Sequence, residues 1–277
     1  MALMGNTHPA HKLTDLSLVQ GIWQKLCSLP AKYGCEVTKT MAYDKLQLLY
    51  EGKTKRFWLT SNPKQAIAEF RDDPTMYHSK KKEYFTGKGA LCNQINAILM
   101  QVLQENNIPT HFLEQIDQNC TLVKRAEMIP VEVVVHNYTA GSMCRRLGLE
   151  AHKKLKFPVM EFCYKNDELN DPVINEYHAY AMGLCTQEEM TIMTYNAMRV
   201  NKVLCDLFDS IGMVVADFKL EFGRVGNFLV VADEITPNVG RFWDKDSMSR
   251  IKYTLGSAEK EYEIILERLK QAAKDLL

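Results

Sequence analysis

One short segment alternates polar and apolar residues at every position and constrains the fold more than any other part of the chain. It is Asp217–Gly223 (DFKLEFG), and its two faces carry Phe218, Leu220 and Phe222 on one side and Asp217, Lys219 and Glu221 on the other. Side chains alternate between faces in a β-strand, so this pattern predicts a strand that packs one face and presents the other for chemistry. The next residues, Gly223–Asn227 (GRVGN), contain two glycines and an asparagine, which favour a hairpin turn. We therefore expect a second strand at Val231–Glu234 (VADE).

The predicted hairpin would bring two carboxylates, Glu221 and Asp233, close together. Magnesium takes oxygen ligands and is usually held by one or two carboxylates plus the phosphates of a substrate. Lys219 lies on the same face as Glu221 and would meet those phosphates. The pattern therefore indicates a magnesium-nucleotide site. A solvated strand face, on which alternating charges only keep a sheet edge soluble, explains the same residues equally well at this point.

Composition and length limit the class of protein. The chain has 277 residues, enough for one large domain or two modest lobes, and we favour two lobes. A hydrophobic content of 46%, a charged content of 25% and a formal net charge of +0 argue against a general binder of nucleic acid or membranes. Eight cysteines without a CxxC pair indicate reduced thiols. The chain has no apolar run as long as a transmembrane helix and no signal-peptide pattern, so we expect a cytoplasmic protein.

The pattern along the chain predicts an α+β protein. Residues 1–43 form an extension with an amphipathic helix at Leu16–Leu29, and a strand hairpin with lysines at its tip follows from Lys45. Further strands are predicted at Ala66–Phe70, Thr121–Lys124 and Val131–His136. Helices are predicted at Lys88–Glu105, Ser142–Leu147, Gln187–Ile211 and Ser257–Leu276, with a loop-rich stretch from Leu147 to about Gly183.

Two further segments have features of phosphate-binding sites. The hairpin tip Gly52–Lys55 (GKTK) combines a glycine, which permits close backbone approach, with Lys53 and Lys55, which supply positive charge. It lacks the spacing of a Walker A loop, so a solvated turn is the alternative. Ser142 follows the predicted strand PVEVVVHN at a helix start, where it would either cap the helix or donate to a phosphate.

Arg241 lies in the segment DEITPNVGRFWD, just after the predicted hairpin. A guanidinium can bind a carboxylate or a phosphate through two parallel hydrogen bonds, which makes Arg241 a candidate for binding an anionic substrate. The alternative is a surface arginine that pairs with Asp244. The residues alone leave both interpretations open.

Six segments, taken together, resemble one enzyme family. They are YEGKTK, EFRDD, GKGALCNQI, IPVEVVVHNYTAGS, DFKLEFG and DEITPNVGRFWD, and they occur in the order found in phosphoribosylaminoimidazole-succinocarboxamide synthases, or SAICAR synthetases. The resemblance runs from about Leu46 to the end of the chain. DFKLEFG matches the family pattern DxKxEFG at every position and is the most specific of these segments.

The resemblance implies an ATP-dependent carbon–nitrogen ligase of purine biosynthesis. In this reaction the carboxylate of CAIR (carboxyaminoimidazole ribonucleotide) is phosphorylated and then attacked by the amine of L-aspartate, which gives SAICAR, ADP and phosphate. The family also implies a two-lobed α+β fold with ATP in the cleft between the lobes, and a homo-oligomer. Residues 44–128 would form the ATP-covering lobe, and residues 129–277 an α/β lobe with the metal and substrate site.

The resemblance also implies which residues bind ATP. Lys53 and Lys55 would cover its phosphates, and Lys219 would contact phosphate from the strand DFKLEFG. Lys124 and Met128 belong to the segment that joins the two lobes, and they would lie beside adenine.

The remaining residues singled out above would bind the metal and the substrate. By the same resemblance, Glu221 and Asp233 would hold Mg²⁺, and Asp217 would orient the site. Ser142 and Arg241 would hold the ribonucleotide. The expected catalytic residues are therefore Lys219, Asp217 and Glu221.

Six positions depart from the family pattern: His136, Cys92 and, where the family usually reads SPDGSR and this chain reads TPNVGR, Thr236, Asn238, Val239 and Gly240. His136 stands where the family has an arginine, Asn238 where it has an aspartate, and Cys92 where it commonly has an asparagine. His136 would replace a fixed cation by a group whose charge depends on pH, which should weaken the binding of an acidic substrate. The lost carboxylate at Asn238 would change which amine is accepted. Both residues are therefore candidates for substrate binding.

Three functions are compatible with this pattern. The first is a SAICAR synthetase that has tolerated some drift. The second, motivated by His136 and Asn238, is a diverged ATP-dependent ligase that joins another carboxylate to another amine. The third is a non-catalytic nucleotide-binding protein, which we disfavour because the expected phosphate-binding and metal-binding residues are all present: Lys53, Lys55, Lys219, Glu221 and Asp233.

Overall fold

The computed structural model describes residues 43–73, 84–251 and 257–274, and these residues form two β-sheets with helices packed against them. The first sheet contains β1 (Leu48–Glu51), β2 (Lys55–Leu59), β3 (Gln65–Phe70), β4 (Phe112–Gln115) and β5 (Cys120–Lys124). Its strand order is β1-β2-β3-β5-β4, and all neighbours are antiparallel. The predicted hairpin from Lys45 and the predicted strands at Ala66–Phe70 and Thr121–Lys124 are confirmed. The predicted helix at Leu16–Leu29 lies outside the described residues.

The second sheet carries the segment with which the sequence analysis began. Its strands are β6 (Glu127–Tyr138), β7 (Lys154–Tyr164), β8 (Val173–Ile174), β9 (Met213–Val225), β10 (Phe228–Ala232) and β11 (Gly240–Asp244). The strand β9 pairs with β6 along one edge, and with β10 and β11 along the other. The predicted hairpin is therefore confirmed as β9 and β10, but its bounds were wrong: the turn is only Gly226 and Asn227, and the second strand is Phe228–Ala232, so Asp233 and Glu234 follow it.

Five helices of the described residues pack around these sheets: α1 (Lys88–Glu105), α2 (Gly141–Leu147), α3 (Glu176–Ala181), α4 (Gln187–Ser210) and α5 (Ala258–Lys274). The long α4 lies on β9, and α1 packs against α5. A capping box begins α4, in which the Thr186 side chain and the Glu189 side chain each accept a backbone hydrogen bond from the other residue. Within the described ranges, every helix is too short or too polar to span a bilayer.

The start of α1 explains two of the sequence motifs. Asp72, of EFRDD, accepts hydrogen bonds from the backbone nitrogens of Gly87 and Gly89 at 2.9 and 2.8 Å, so a distant carboxylate satisfies the first amides of the helix. A Cβ on Gly89 would lie 2.6 Å from the carbonyl oxygen of Phe70, and only glycine permits that approach. These contacts anchor α1 to the end of β3.

The largest hydrophobic core joins the two sheets. Phe218, Leu220 and Phe222 are almost fully buried in it, which confirms the apolar face predicted for this strand. The same core contains residues of β3, α1, α4 and α5. The charged face of β9 is therefore held on a rigid, fully packed strand.

Two secondary-structure predictions were wrong. The stretch between Leu147 and Gly183 is not mainly loop, because it contains β7, β8 and α3. Pro158 and the lack of clean alternation hide β7 in the sequence, and its pairing with β6 forms it nevertheless. The strand β6 also begins at Glu127, before the predicted start at Val131, and its pairing with β9 is irregular between Met128 and Glu132, around Pro130.

Candidate active site

A cavity of about 600 Å³ lies between the two sheets. The first sheet contributes the β1–β2 hairpin, and the second contributes β6, β9 and the segments that follow β7 and β10. Among the described residues that line it, six are carboxylates and four are lysines: Glu132, Asp167, Asp171, Glu221, Asp233, Glu234, Lys53, Lys55, Lys165 and Lys219. The lining therefore carries more negative than positive charge.

Lys219 is held between two carboxylates of this cavity. Its Nζ lies 2.5 Å from Glu132 Oε1 and 3.2 Å from Glu221 Oε1, because the pairing of β6 with β9 places Glu132 opposite Glu221. Lys165, just after β7, forms an ion pair with the other oxygen of Glu221. Burial acts to lower the pKa of Lys219, but the two carboxylates outweigh it and raise that pKa. Lys219 is thus a permanent cation that faces the cavity.

Lys55 is the corresponding cation from the first sheet. Its Nζ lies 2.8 Å from Asp233 Oδ1 and 2.5 Å from Glu234 Oε1, and its side chain is 5% exposed. Burial opposes the charge, but Asp233 and Glu234 raise the pKa of Lys55. Burial likewise acts to raise the pKa of Asp233, and the nearby lysines, Lys55 first among them, lower it. This buried ion pair links β2 to the end of β10.

The two metal-ligand candidates, Glu221 and Asp233, both line the cavity. Ala232 of β10 pairs with Glu221, and Asp233 follows directly with a left-handed φ of 60°. Among the described residues, no set of three or more His, Cys, Asp or Glu side chains is arranged to hold a metal ion. Magnesium needs only one or two carboxylates when phosphates supply further ligands. The two carboxylates and the negative excess of the lining therefore fit a magnesium ion that binds together with a polyphosphate.

A second charged cluster lies on the same face of the sheet, two residues along β9 from Lys219. Asp217 is fully buried and forms an ion pair with Arg241 of β11. Arg241 also lies against Gly141, at the start of α2, where a Cβ would collide with the guanidinium. The alternative partner, Asp244, pairs with Arg268 instead, so the interpretation of Arg241 as a surface partner of Asp244 is wrong.

The other half of this second cluster contains His136 and Ser142. His136 Nε2 lies 3.2 Å from Glu161 Oε2 of β7, and Arg146 of α2 donates to Glu161 Oε1 at 2.5 Å. Arg146 also donates to the hydroxyl of Ser142 at 3.0 Å. Ser142 is not the helix cap, because α2 begins after Ala140 without a side-chain cap. Ser142 is exposed on the first turn, where its hydroxyl accepts from Arg146.

His136 is a cation over a wider pH range than the sequence suggests. The ring is 3% exposed and lies between Asp217 and Glu161. Burial acts to lower its pKa, but two carboxylates raise the pKa of His136 to about 9: Asp217, 3.6 Å from Nδ1, and Glu161, hydrogen-bonded to Nε2. The same contact, with Arg146, lowers the pKa of Glu161 to about 2. At neutral pH the histidine therefore carries the charge of the arginine that it replaces, and its charge depends on pH, as expected from the sequence, only in the alkaline range.

This arrangement predicts a stability change at alkaline pH. A histidine whose pKa is raised in the folded state stabilises the fold fully below its unfolded pKa of 6.5, and that contribution is lost as the pH rises through about 9. The difference in free energy of unfolding between the wild type and a His136→Gln variant should therefore fall by about 3 kcal/mol between about pH 6.5 and pH 9. Denaturant titrations at several pH values measure it. A difference that stays constant from pH 6 to 9 would contradict a charged ring.

The other predicted nucleotide-binding residues differ in position. Lys53, at the hairpin tip, lines the cavity, and its Nζ lies 2.6 Å from Asp167 Oδ1 in an exposed ion pair across the cavity mouth. Lys124 donates to the carbonyl oxygen of Thr110 at 3.1 Å, and Met128 is 40% exposed beside Gly223. Neither of these last two residues lines the cavity, so their role beside adenine stays a prediction.

Sequence reasoning missed several residues of the cavity. Lys165, Asp167 and Asp171 belong to the stretch KNDELND, whose density of charge was visible but which was assigned to a loop. Glu132 was overlooked within an apolar strand, although it interrupts a run of valines. Glu234 was read only as part of VADE, and it proves to be the buried partner of Lys55.

Comparison with known proteins agrees with this geometry. The sequence model of the SAICAR synthetase family matches residues 48–269. The chain belongs to the SAICAR synthetase family. Phosphoribosylaminoimidazole-succinocarboxamide synthases from Coprothermobacter proteolyticus and from a Thermoanaerobacter species are each 46% identical to it, over 82% of this chain and 98% of the relative. The family membership predicted from the six motifs is therefore confirmed.

Solved structures of the family share the fold. The synthase from Ehrlichia chaffeensis superposes with a TM-score of 0.77 at 35% identity, and the match covers 81% of this chain and 98% of that one. A SAICAR synthetase solved in complex with ADP gives a TM-score of 0.75 at 39% identity, covering 79% and 96%. The two-lobed α+β architecture expected for the family is confirmed.

Proposed function

We infer that this protein is an ATP-dependent ligase that joins CAIR and L-aspartate to give SAICAR, ADP and phosphate. The observation that carries the inference is the cavity between the sheets, in which Lys55 and Lys219 are each held between two carboxylates. A site of this kind can exchange its internal ion pairs for contacts with a magnesium polyphosphate. The relative solved in complex with ADP supports nucleotide binding by this chain.

We propose that the lysines of both sheets bind the ATP phosphates. Lys55 and Lys53 would approach from the β1–β2 hairpin, and Lys219 and Lys165 from the second sheet. Each is paired with carboxylates in the structure, so phosphate oxygens would have to take the place of those partners. The proposal places ATP between the lobes, with the lobe boundary near residue 128, where β5 has ended and β6 has begun.

The carboxylates released from the lysines would then be free to hold Mg²⁺. Glu221 and Asp233 are the proposed ligands, because both line the cavity and both are paired with lysines that the phosphates would attract. Bound magnesium would supply charge neutralisation for the phosphoryl group as it is transferred. Exchange of partners in this way would keep all buried charges compensated, which a buried site requires.

The ribonucleotide is proposed to bind at the second cluster. Arg241, His136 and Arg146 are cations there, and the exposed hydroxyl of Ser142 is beside them. With Asp217 and Glu161 as the two anions, the cluster has a net charge of about +1 at neutral pH, which suits a phosphate monoester. Lys219 lies on the same strand face as Asp217, so the substrate carboxylate would reach the ATP cleft from this cluster.

The proposed chemistry follows from these positions. A carboxylate is a poor acyl donor until one of its oxygens becomes a leaving group, and transfer of the γ-phosphoryl group achieves this. Lys219 would stabilise the negative charge that develops on the transferred group. The amine of aspartate would then attack the acyl carbon and phosphate would leave. Asp217, held by Arg241, would keep the ribonucleotide in position. By family resemblance we further expect a cytoplasmic homo-oligomer.

The deciding experiment measures ADP release from Mg·ATP with CAIR and aspartate, each omitted in turn. We expect release that requires both substrates, together with formation of SAICAR by mass spectrometry. If the protein hydrolyses ATP or transfers phosphate from it, with or without these substrates, then it is not a non-catalytic nucleotide-binding protein. Binding of ATP without turnover of CAIR would overturn the proposal in favour of a ligase for another carboxylate and another amine.

A further inference from the structure

Two of the positions at which this chain departs from its family pattern, Asn238 and Cys92, touch each other. Asn238 Nδ2 lies 3.3 Å from the sulfur of Cys92, although one residue follows β10 and the other lies on α1. Both are buried, and Asn238 also lines the cavity. The contact allows the two residues to act together, so we look for a role of Asn238 beyond an isolated loss of charge.

The neighbours of Asn238 determine how its amide is oriented. Tyr262 of α5 donates its hydroxyl hydrogen to Asn238 Oδ1 at 2.9 Å. The amide nitrogen donates to Glu234 Oε2 at 3.1 Å and to the Cys92 sulfur. Burial raises the pKa of Tyr262 and of the Cys92 thiol, so both stay protonated. A carboxylate accepts only, so Glu234 requires a donor at this place, and an amide can supply it whereas an aspartate cannot.

Glu234, which accepts from Asn238, also accepts from Lys55 and so fixes the position of the Lys55 ammonium. Its two oxygens accept from Lys55, Thr54, Thr236 and Asn238, which fills the carboxylate with donors on both sides. Thr54 and Lys55 belong to the tip of the β1–β2 hairpin, whereas Thr236 and Asn238 follow β10. A continuous chain of hydrogen bonds therefore runs from Tyr262 on α5, through Asn238 and Glu234, to the lysine that faces the cavity.

We propose that Asn238 is a positioning residue for nucleotide binding: its amide, held by Tyr262 and Cys92, orients Glu234 and through it the Lys55 ammonium. This rests on the proposed function, in which Lys55 meets the ATP phosphates. The residue that replaces the family's aspartate acts, in this assignment, on the nucleotide and not on the choice of amine. Asn238→Asp would set a carboxylate against Glu234 and remove the donor that orients it.

The test is the dissociation constant of Mg·ADP, measured by titration calorimetry on the full chain. Asn238→Asp is expected to raise it about tenfold, as loss of one charge-assisted hydrogen bond would. Tyr262→Phe deletes only the hydroxyl and should raise it about threefold, without a large change in thermal unfolding. Asn227→Asp, which adds the same charge in the exposed β9–β10 turn, and Tyr177→Phe, on the exposed face of α3, are the matched controls.

Steady-state kinetics and a double variant test whether Asn238 affects nucleotide binding and whether Cys92 acts with it. The KM for ATP should rise in Asn238→Asp and Tyr262→Phe while the KM for aspartate stays within about twofold of the wild type. Cys92→Asn added to Asn238→Asp supplies new amide donors and should recover about threefold in Mg·ADP affinity. A rise in the aspartate KM alone, or unchanged Mg·ADP affinity in a folded Tyr262→Phe variant, would overturn the assignment. Purely additive losses in the double variant would overturn the role of Cys92 in holding the Asn238 amide.

A wild type that does not bind Mg·ADP would overturn the proposed function instead, so the two failures are distinguishable.

Discussion

Glu221→Ala is expected to lower the rate of ADP formation by roughly 10³-fold while the protein still folds. The substitution removes a proposed metal ligand and the shared partner of Lys165 and Lys219. The fold should survive because Lys219 keeps Glu132, 2.5 Å away, and the Lys165 side chain is 40% exposed and can turn to water. We therefore expect a cooperative thermal transition close to that of the wild type. Stopped assays of ADP with saturating Mg·ATP, together with calorimetry, provide both measurements.

The control for this variant is Glu127→Ala. Glu127 pairs with Arg224 on the neighbouring part of the same sheet, but its side chain is 78% exposed and it lies outside the cavity. It should keep nearly full activity. If Glu221→Ala melts normally and retains a rate similar to Glu127→Ala, then Glu221 does not bind the metal in the reaction.

Lys55→Met is expected to reduce both activity and stability. Removing this ammonium leaves the buried carboxylate of Glu234 and the partly buried carboxylate of Asp233 without their common partner, and loss of one partner of a buried ion pair typically costs about 3 to 5 kcal/mol of folding free energy. The proposed contact to the ATP phosphates is lost as well, so the KM for ATP should rise by at least about tenfold. Urea titrations at neutral pH and initial rates at varied ATP measure the two effects.

The pH dependence of this variant has a definite sign. In the wild type Lys55 lowers the pKa of Asp233, so the stability from that contact is present at neutral pH and lost on acidification. Without Lys55 the pKa of Asp233 should rise toward its usual value of 3.8. The stability deficit of Lys55→Met should thus be full at pH 7 and shrink only as the pH falls below about 4.

Lys53→Met is the matched control for Lys55→Met, because the two lysines are neighbours on the same hairpin tip. The Lys53 side chain is 70% exposed and forms an ion pair with the exposed Asp167, so its removal should change stability by less than about 0.5 kcal/mol. An equal loss of stability in both variants would contradict the burial of the Lys55 ion pair.

The sequence was most informative where a local residue pattern is compatible with only one type of secondary structure. The alternation in DFKLEFG predicted β9 and its buried face, and the turn residues predicted the pairing with β10. The family pattern named Lys55 and Lys219 correctly as residues of the cavity. The strand and the turn depend on neighbouring residues alone, and the two lysines were identified because the family motifs occur in their usual order along the chain.

What the sequence could not supply are the contacts between residues distant along the chain. Lys165 reaches Glu221 only because β7 pairs with β6, and β7 itself was not recognised. The raised pKa of His136 could not be foreseen either, since nothing in the sequence showed that Glu161 would lie beside it. Glu234 meets Lys55 across the two sheets, at a separation of 179 residues.

The single strand β9 carries a residue of each charged cluster, Asp217 in one and Lys219 in the other. Their separation is two residues, or about 6.7 Å along an extended backbone. A loop that connects two elements can lengthen without disturbing the fold, but the spacing of residues within a packed, doubly paired strand cannot change in this way. Insertions elsewhere in this protein would therefore leave the size of the acid that it accepts unchanged. A shift to a longer or shorter acid would have to come from substitutions of the side chains on this strand and its neighbours.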